Sequence, residues 1–174
     1  MATATNAFIQ WITGLYLAGA LTTSFAMNVP AAVGRAETPI DVAVMLLGWS
    51  GANLPRIDLV AARPGDASLL AEAWVRFTDD DRIIPIIYIC TATTVYRDAA
   101  RGDYQSLVKL AGILAHERWH LGHGRDETGA YTVQISTMEY LHANSLHLTV
   151  VRKAMQSAKQ AETSARHRWA AIAF

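Results

Sequence analysis

The sequence predicts an α+β domain in which a small, mostly antiparallel sheet packs on a long helix and on the hairpin that this helix forms with the next one. Three observations support this prediction. Short apolar or β-branched runs bounded by turn residues lie between residues 56 and 91. The periodic segments that follow, up to residue 169, are too long for strands. The length of 174 residues fits one hydrophobic core.

Charge and composition exclude several classes of protein. Fifteen Lys and Arg residues balance fifteen Asp and Glu residues, so we expect no nucleic-acid partner. The chain is 52% hydrophobic and 17% charged, which is too apolar for a disordered protein. The single cysteine, Cys90, excludes an intramolecular disulfide and a multi-cysteine zinc site. A metal would therefore be held by His and carboxylate side chains.

The first 34 residues contain no charged side chain, and this divides the chain into an apolar N-terminal segment, residues 1–36, and a domain over residues 37–174. Residues 8–29 have the length of a signal or membrane anchor, which predicts possible membrane association. The basic residues that usually precede a signal are missing, and polar residues dilute the run, so a buried helix is the alternative. The segment favours a secreted, periplasmic or membrane-anchored location over a cytoplasmic one.

The first half of the domain is predicted to contain short elements. In order, we expect a helix over Ile40–Trp49, a strand over Arg56–Ala61, a short helix or turn over Ala67–Trp74, a strand from Val75 ended by the Asp79–Asp81 turn, and a strand over Ile83–Thr91. Pro85 cannot donate a backbone hydrogen bond, which indicates an edge position or strand entry at Ile86. The run Ile86–Thr91 is thus a candidate edge for binding an extended peptide.

The second half is predicted to be helical. Asp103 is a good N-cap for a helix that runs to a C-terminal glycine at Gly122. A second helix begins near Asp126 or Glu127 and ends at about His142, so the short connection predicts a helical hairpin. A third helix covers His147–Trp169, and its basic residues suit a solvated face.

The first long helix contains an HExxH motif formed by His116, Glu117 and His120. Imidazoles four residues apart lie on one side of a helix, where both can bind one Zn²⁺ at about 2.0–2.1 Å. Glu117 projects beside such a metal, where a carboxylate can accept a proton from zinc-bound water and pass it to the leaving group. The motif therefore predicts a zinc-dependent metallopeptidase.

Catalytic zinc usually has a third protein ligand, and four residues are candidates. They are His123 in a glycine-flanked turn, Asp126, Glu127 at the start of the second helix, and Glu139. Asp126 is alternatively an N-cap or a hydrogen-bond acceptor for a ligating imidazole. Glu139 is about three turns along the second helix and is expected to lie too far away.

The stretch LAHERWHLGHGRDETGAYTVQ, Leu114–Gln134, resembles short bacterial and phage-type zincin metallopeptidases of the gluzincin kind, including the ImmA/IrrE type. The resemblance implies a minimal zincin-like domain that hydrolyses a peptide or protein substrate with Zn²⁺. It implies His116 and His120 as ligands, Glu117 as general base and Glu127 as third ligand. The interval between His120 and Glu127 is short for a gluzincin, and Asp126 stands where metzincins have their third ligand, so Asp126 stays open.

Tyr131 is a further candidate for the catalytic site. One turn after Glu127, the Tyr131 hydroxyl could stabilise an oxyanion, or the ring could pack in the hairpin interface.

Two other functions are alternatives. The HxxxHxxxxxH spacing resembles the zinc site of rRNA-maturation endoribonucleases, with Asp126 in place of their third His. A non-catalytic, zinc-stabilised binding protein is the other alternative, and Glu117 argues against it because a structural site needs no base. The oligomeric state is not predicted.

Overall fold

The computed structural model describes residues 37–51, 54–61 and 72–172, which lie in one compact unit, Arg35–Phe174. The elements, in chain order, are α1 (Pro39–Leu46), β1 (Arg56–Val60), β2 (Ala73–Phe77), β3 (Ile83–Cys90), α2 (Thr94–Ala100), α3 (Tyr104–His123), α4 (Glu127–Tyr140) and α5 (Ser145–Ile172). The strands precede the long helices, and the α+β prediction is confirmed. The apolar segment over residues 1–36 and most of the helix or turn expected from Ala67 lie outside the described residues. Trp74, at the end of that expected element, lies in β2.

Helix α1 begins at a capping box formed by Thr38 and Asp41. The Thr38 hydroxyl accepts a hydrogen bond from the Asp41 amide at 3.2 Å, and the Thr38 amide donates to the Asp41 carboxylate at 2.8 Å. Pro39 follows at the first helical position, where its missing N–H costs nothing. The helix ends at Leu46, earlier than the expected Trp49, because the chain turns at Gly48 with φ 63°.

The sheet has the strand order β1-β3-β2 and is mixed. β2 and β3 form an antiparallel hairpin, whereas β1 pairs with β3 in parallel with Arg56 opposite Ile86. The sheet is therefore less antiparallel than expected. The prediction that Ile86–Thr91 forms an edge is wrong, because β3 is the central strand. The alternative, strand entry at Ile86, agrees with the pairing to β1, which begins there. Among the described residues, the edges belong to β1 and β2.

Pro85 is accommodated in the central strand by two local features. Pairing with β1 begins at Ile86, so the Pro85 nitrogen faces no β1 acceptor. On the other side, the register shifts between Trp74 and Arg76, so Pro85 lies at the irregularity. Proline in an inner strand is tolerated where ladder hydrogen bonds are interrupted, which explains why the sequence rule failed here.

Helix α3 is the centre of the domain and contacts α1, α2, α4 and strands β2 and β3. The Asp103 carboxylate caps its first turn by accepting from the Ser106 amide at 2.8 Å, as predicted. The helix continues past Gly122, the expected stop, and is capped at Gly124 with φ 66°. Helix α4 lies between α3 and α5. The main core consists of Ile87, Ile89, Val108, Leu110, Ala111, Leu114, Met138 and their neighbours.

Gly112 allows α3 and α4 to pack closely. A Cβ atom at Gly112 would lie 2.6 Å from Met138 Cγ and 3.0 Å from Met138 Sδ, and Met138 is fully buried. Gly112→Ala is expected to lower the free energy of unfolding by about 1–3 kcal/mol through overpacking. Urea unfolding in the presence of a chelator measures this effect without a contribution from bound metal.

The matched control for this experiment is Gly122→Ala in the same helix. A Cβ atom at Gly122 meets no atom within 4 Å, so only helix propensity changes, and stability should rise by up to about 1 kcal/mol. Equal effects of the two substitutions would contradict the close packing of α3 and α4 at Gly112.

Within the described part of the chain, no helix combines the length and apolarity needed to cross a bilayer. The segment proposed as signal or anchor, residues 8–29, lies outside that part.

Candidate metal centre

Three side chains converge where the end of α3 meets the start of α4. The Nε2 atoms of His116 and His120 are 3.2 Å apart. Glu127 places Oε2 3.6 Å from His116 Nε2 and Oε1 3.5 Å from His120 Nε2. Two ligand atoms held at about 2.1 Å by one tetrahedral zinc are separated by roughly 3.4 Å. The three residues therefore form a group that could hold a metal ion, with Glu127 as the third member.

Each imidazole ring of the histidine pair has a hydrogen-bond partner at Nδ1, and this determines which ring nitrogen carries no proton. His116 Nδ1 lies 3.1 Å from Gln134 Oε1, and His120 Nδ1 lies 2.6 Å from the Gly124 carbonyl oxygen. Both oxygens can only accept, so both Nδ1 atoms donate. In the neutral rings the two Nε2 atoms then present lone pairs to each other at 3.2 Å. A cation between them would relieve this repulsion.

The environment also affects the ionisation of two of these groups. Burial lowers the pKa of His120, against an opposing hydrogen bond to the Gly124 carbonyl, and the neighbouring His116 acts in the same direction as burial. The pKa of Glu127 is lowered by hydrogen bonding from the His116 imidazole when that ring is protonated, and burial opposes this shift. A neutral imidazole and an ionised carboxylate are the forms that bind metals.

The other three candidate ligands point elsewhere. Asp126 is the N-cap of α4, where Oδ1 accepts from the Gly129 amide at 2.9 Å and Oδ2 accepts from Trp119 Nε1 at 3.1 Å. The exposed His123 stacks on the Trp119 ring, with 3.5 Å between ring centroids. Glu139 pairs with Arg152. Among the described residues, only Glu127 therefore joins the histidine pair.

The start of α4 is held by a corner of three residues in contact, Trp119, Asp126 and Gly129. This corner thereby places Glu127. A Cβ atom at Gly129 would overlap Asp126 Oδ2 and would lie 2.6 Å from Trp119 Nε1. A glycine is thus required for the indole and the capping carboxylate to meet under the first turn. Asp126 has the capping role that the sequence offered as its alternative, and Glu127 follows it in the first turn of α4.

Glu117 and Tyr131, the predicted catalytic residues, border this group. Glu117 follows His116 on α3 and is only 7% exposed. The Tyr131 ring meets the His116 ring edge to face, with 4.6 Å between centroids. Burial raises the pKa of Tyr131, and the charges of Glu127 and Glu117 act in the same direction, so the hydroxyl keeps its proton and can donate. The Tyr131 ring also packs against the core, which agrees with the alternative prediction that the ring has a packing role.

Strand β2 packs against α3. At one end, Lys109 Nζ lies 2.6 Å from Glu72 Oε1. At the other end, the Arg125 guanidinium stacks 4.1 Å from the Phe77 ring centroid and pairs with Asp81 at 2.8 Å. These contacts join both ends of β2 to α3 or to the loop after it. Among the described residues, β2 is an edge strand. The expected peptide-binding edge, Ile86–Thr91, is internal.

Two groups around the site were not predicted from the sequence. Gln134 lies two turns after Glu127 on α4 and is 5% exposed, and this helical spacing was the only available signal. The Gly124 carbonyl accepts from His120 because the residue adopts φ 66° and ψ −137°, a conformation that strongly favours glycine. The helix end at Gly124, two residues beyond the expected one, concealed this contact.

Comparison with known proteins adds no relative, since no family model, no curated protein and no solved structure matches this chain. The resemblance of Leu114–Gln134 to zincins therefore remains an expectation.

Proposed function

We propose that the protein is a zinc-dependent metallopeptidase. The observation that carries the proposal is the convergence of two imidazole Nε2 atoms and the Glu127 carboxylate beside a buried Glu117. Two histidines and a glutamate are a ligand set of catalytic zinc in peptidases. The 48% exposure of the Glu127 side chain suits a site that keeps a position open for water and substrate.

Each residue has a defined task in this proposal. A zinc ion held by His116, His120 and Glu127 would polarise the scissile carbonyl and acidify a water molecule. Glu117 accepts the proton of the attacking water and delivers it to the departing amine. The neutral Tyr131 hydroxyl donates a hydrogen bond to the carbonyl oxygen, which becomes an oxyanion when the water attacks the carbonyl carbon.

The proposed substrate is an extended peptide that adds to the β2 edge. Among the described residues, β2 pairs only with β3, so its outer row of backbone groups is available for β-augmentation. The charge of Glu72, the residue before β2, helps to raise the pKa of Tyr131, which indicates that this end of the edge lies near the site. The backbone of a bound peptide would therefore pass the site where Glu117 and Tyr131 lie.

The two alternative functions receive less support from the geometry. An endoribonuclease-like site would use position 126 as third ligand, but both Asp126 oxygens accept hydrogen bonds within the corner at the start of α4. A structural zinc site usually closes its fourth position with protein. The described residues provide a group of three possible ligands here.

Metal analysis and chelation test the proposal. We expect about one zinc per purified chain. We also expect a chelator to abolish cleavage of a mixture of quenched fluorescent peptides, and added zinc to restore it. Absence of bound zinc after zinc loading, with a melting temperature that chelator and zinc both leave unchanged, would contradict the proposal.

A further inference from the structure

Gln134 is the one buried polar residue on the face of α4 that packs against α3. The buried positions of α4 are Ala130, Gln134 and Met138, spaced by one turn each. Two of them are apolar and belong to ordinary helix packing. A buried amide costs free energy unless it is hydrogen-bonded, so packing alone favours an apolar residue at position 134.

The hydrogen-bond partner of the Gln134 amide is His116 of the candidate metal centre. Gln134 Oε1 lies 3.1 Å from His116 Nδ1. Since an amide oxygen carries no hydrogen, this contact requires the proton of the neutral ring to be on Nδ1. The free nitrogen is then Nε2, which is the atom that faces His120 and Glu127.

The approach of Gln134 to His116 depends on Gly112, one turn earlier on α3. A Cβ atom at Gly112 would lie 3.3 Å from Gln134 Cγ, tighter than nearly all ordinary contacts of a Cβ atom. The glycine therefore brings α4 close to α3 at the level where the glutamine side chain extends toward the imidazole. Gly112, Gln134 and His116 form a continuous set of contacts from helix packing to the metal centre.

We infer that Gln134 is a positioning residue of the metal site, whose amide oxygen holds His116 in the tautomer and orientation that leave Nε2 free for the ion. This inference rests on the proposed function. Loss of such a partner of a ligating histidine typically weakens metal binding by about 10–100-fold. Gln134 acts through His116 and does not contact substrate in this role.

Zinc affinity of the full chain, measured by competition with a chromophoric chelator, tests the inference. Gln134→Leu removes the acceptor at similar volume, and its zinc affinity should fall by about 10–100-fold. Gln134→Glu keeps an acceptor oxygen, and its zinc affinity should be no more than about threefold weaker than that of the wild type. A carboxylate is a common partner of ligating histidines. Melting temperatures in chelator verify that each variant folds.

A spectroscopic measurement on the wild type keeps the inference testable if Gln134→Leu does not fold. Long-range ¹H–¹⁵N NMR of the metal-free protein should show His116 protonated at Nδ1, and Gln134→Met should lose this preference. Wild-type zinc affinity in Gln134→Leu, or an Nε2-protonated His116 in the wild type, would overturn this inference alone. A wild-type protein that binds no zinc would overturn the proposed function as well.

Discussion

Replacing Glu117 with glutamine is expected to slow peptide cleavage by about 10²–10⁴-fold, the contribution typical of a general base. The substitution keeps the shape of the side chain but removes the carboxylate that accepts the proton of the attacking water. Zinc content should stay at the wild-type value because Glu117 is not among the three residues that could hold the metal. Cleavage of the fluorescent peptide mixture and metal analysis of the same preparation measure both quantities.

Glu139→Gln is the matched control for this experiment. Glu139 is an exposed carboxylate on α4 that pairs with Arg152, so the substitution removes the same charge from a place remote from the site chemistry. Its cleavage rate should equal that of the wild type. If Glu117→Gln cleaved peptides as fast as this control, Glu117 would not be the base. If it lost zinc as well as activity, its role would be structural.

Glu127→Ala is expected to weaken zinc binding by more than the 10–100-fold that loss of a hydrogen-bonding partner costs, because it removes a ligand itself. Asp126→Asn should cost less than about tenfold, since asparagine is also a good N-cap and retains an oxygen for the Gly129 amide. Chelator competition on both variants gives the two affinities. The comparison distinguishes the ligand from the residue that places it.

Glu139→Ala serves as the control for carboxylate removal from the same helix, and its zinc affinity should be unchanged. A loss in Asp126→Asn as large as that in Glu127→Ala would assign ligation to position 126 and would contradict the observed geometry. Asp126→Ala is less informative than Asp126→Asn, because it removes the cap and the Trp119 contact together.

The sequence predicted the features that depend on local chemistry. Asp103 caps α3 as expected, because its side chain satisfies an amide three residues away. The spacing of His116 and His120 places both imidazoles on one face of α3, and the short connection leads to a hairpin. These interactions involve neighbours in the chain, so a sequence pattern is sufficient to predict them.

The features that escaped prediction depend on distant parts of the chain. The rule against proline in inner strands failed at Pro85 because the end of β1 and the irregularity in β2 remove its partners. Glu127 and Asp126 are adjacent in sequence, and the contact of the Asp126 carboxylate with the distant Trp119 helps to separate their roles. Gln134 reaches His116 across a helix interface whose closeness depends on Gly112. None of these contacts follows from spacing alone.

The connection between α3 and α4 is short enough that His116, His120 and Glu127 all fall within residues 116–127. The entropy lost when a chain is closed into a loop grows with the length of the loop, so an ion that joins these residues restricts little additional chain. An ion bound there would directly constrain the connection between α3 and α4 and not the pairing of the strands. In the proposed function, the helical hairpin would supply the chemistry, and the β2 edge would supply the surface against which a substrate is aligned.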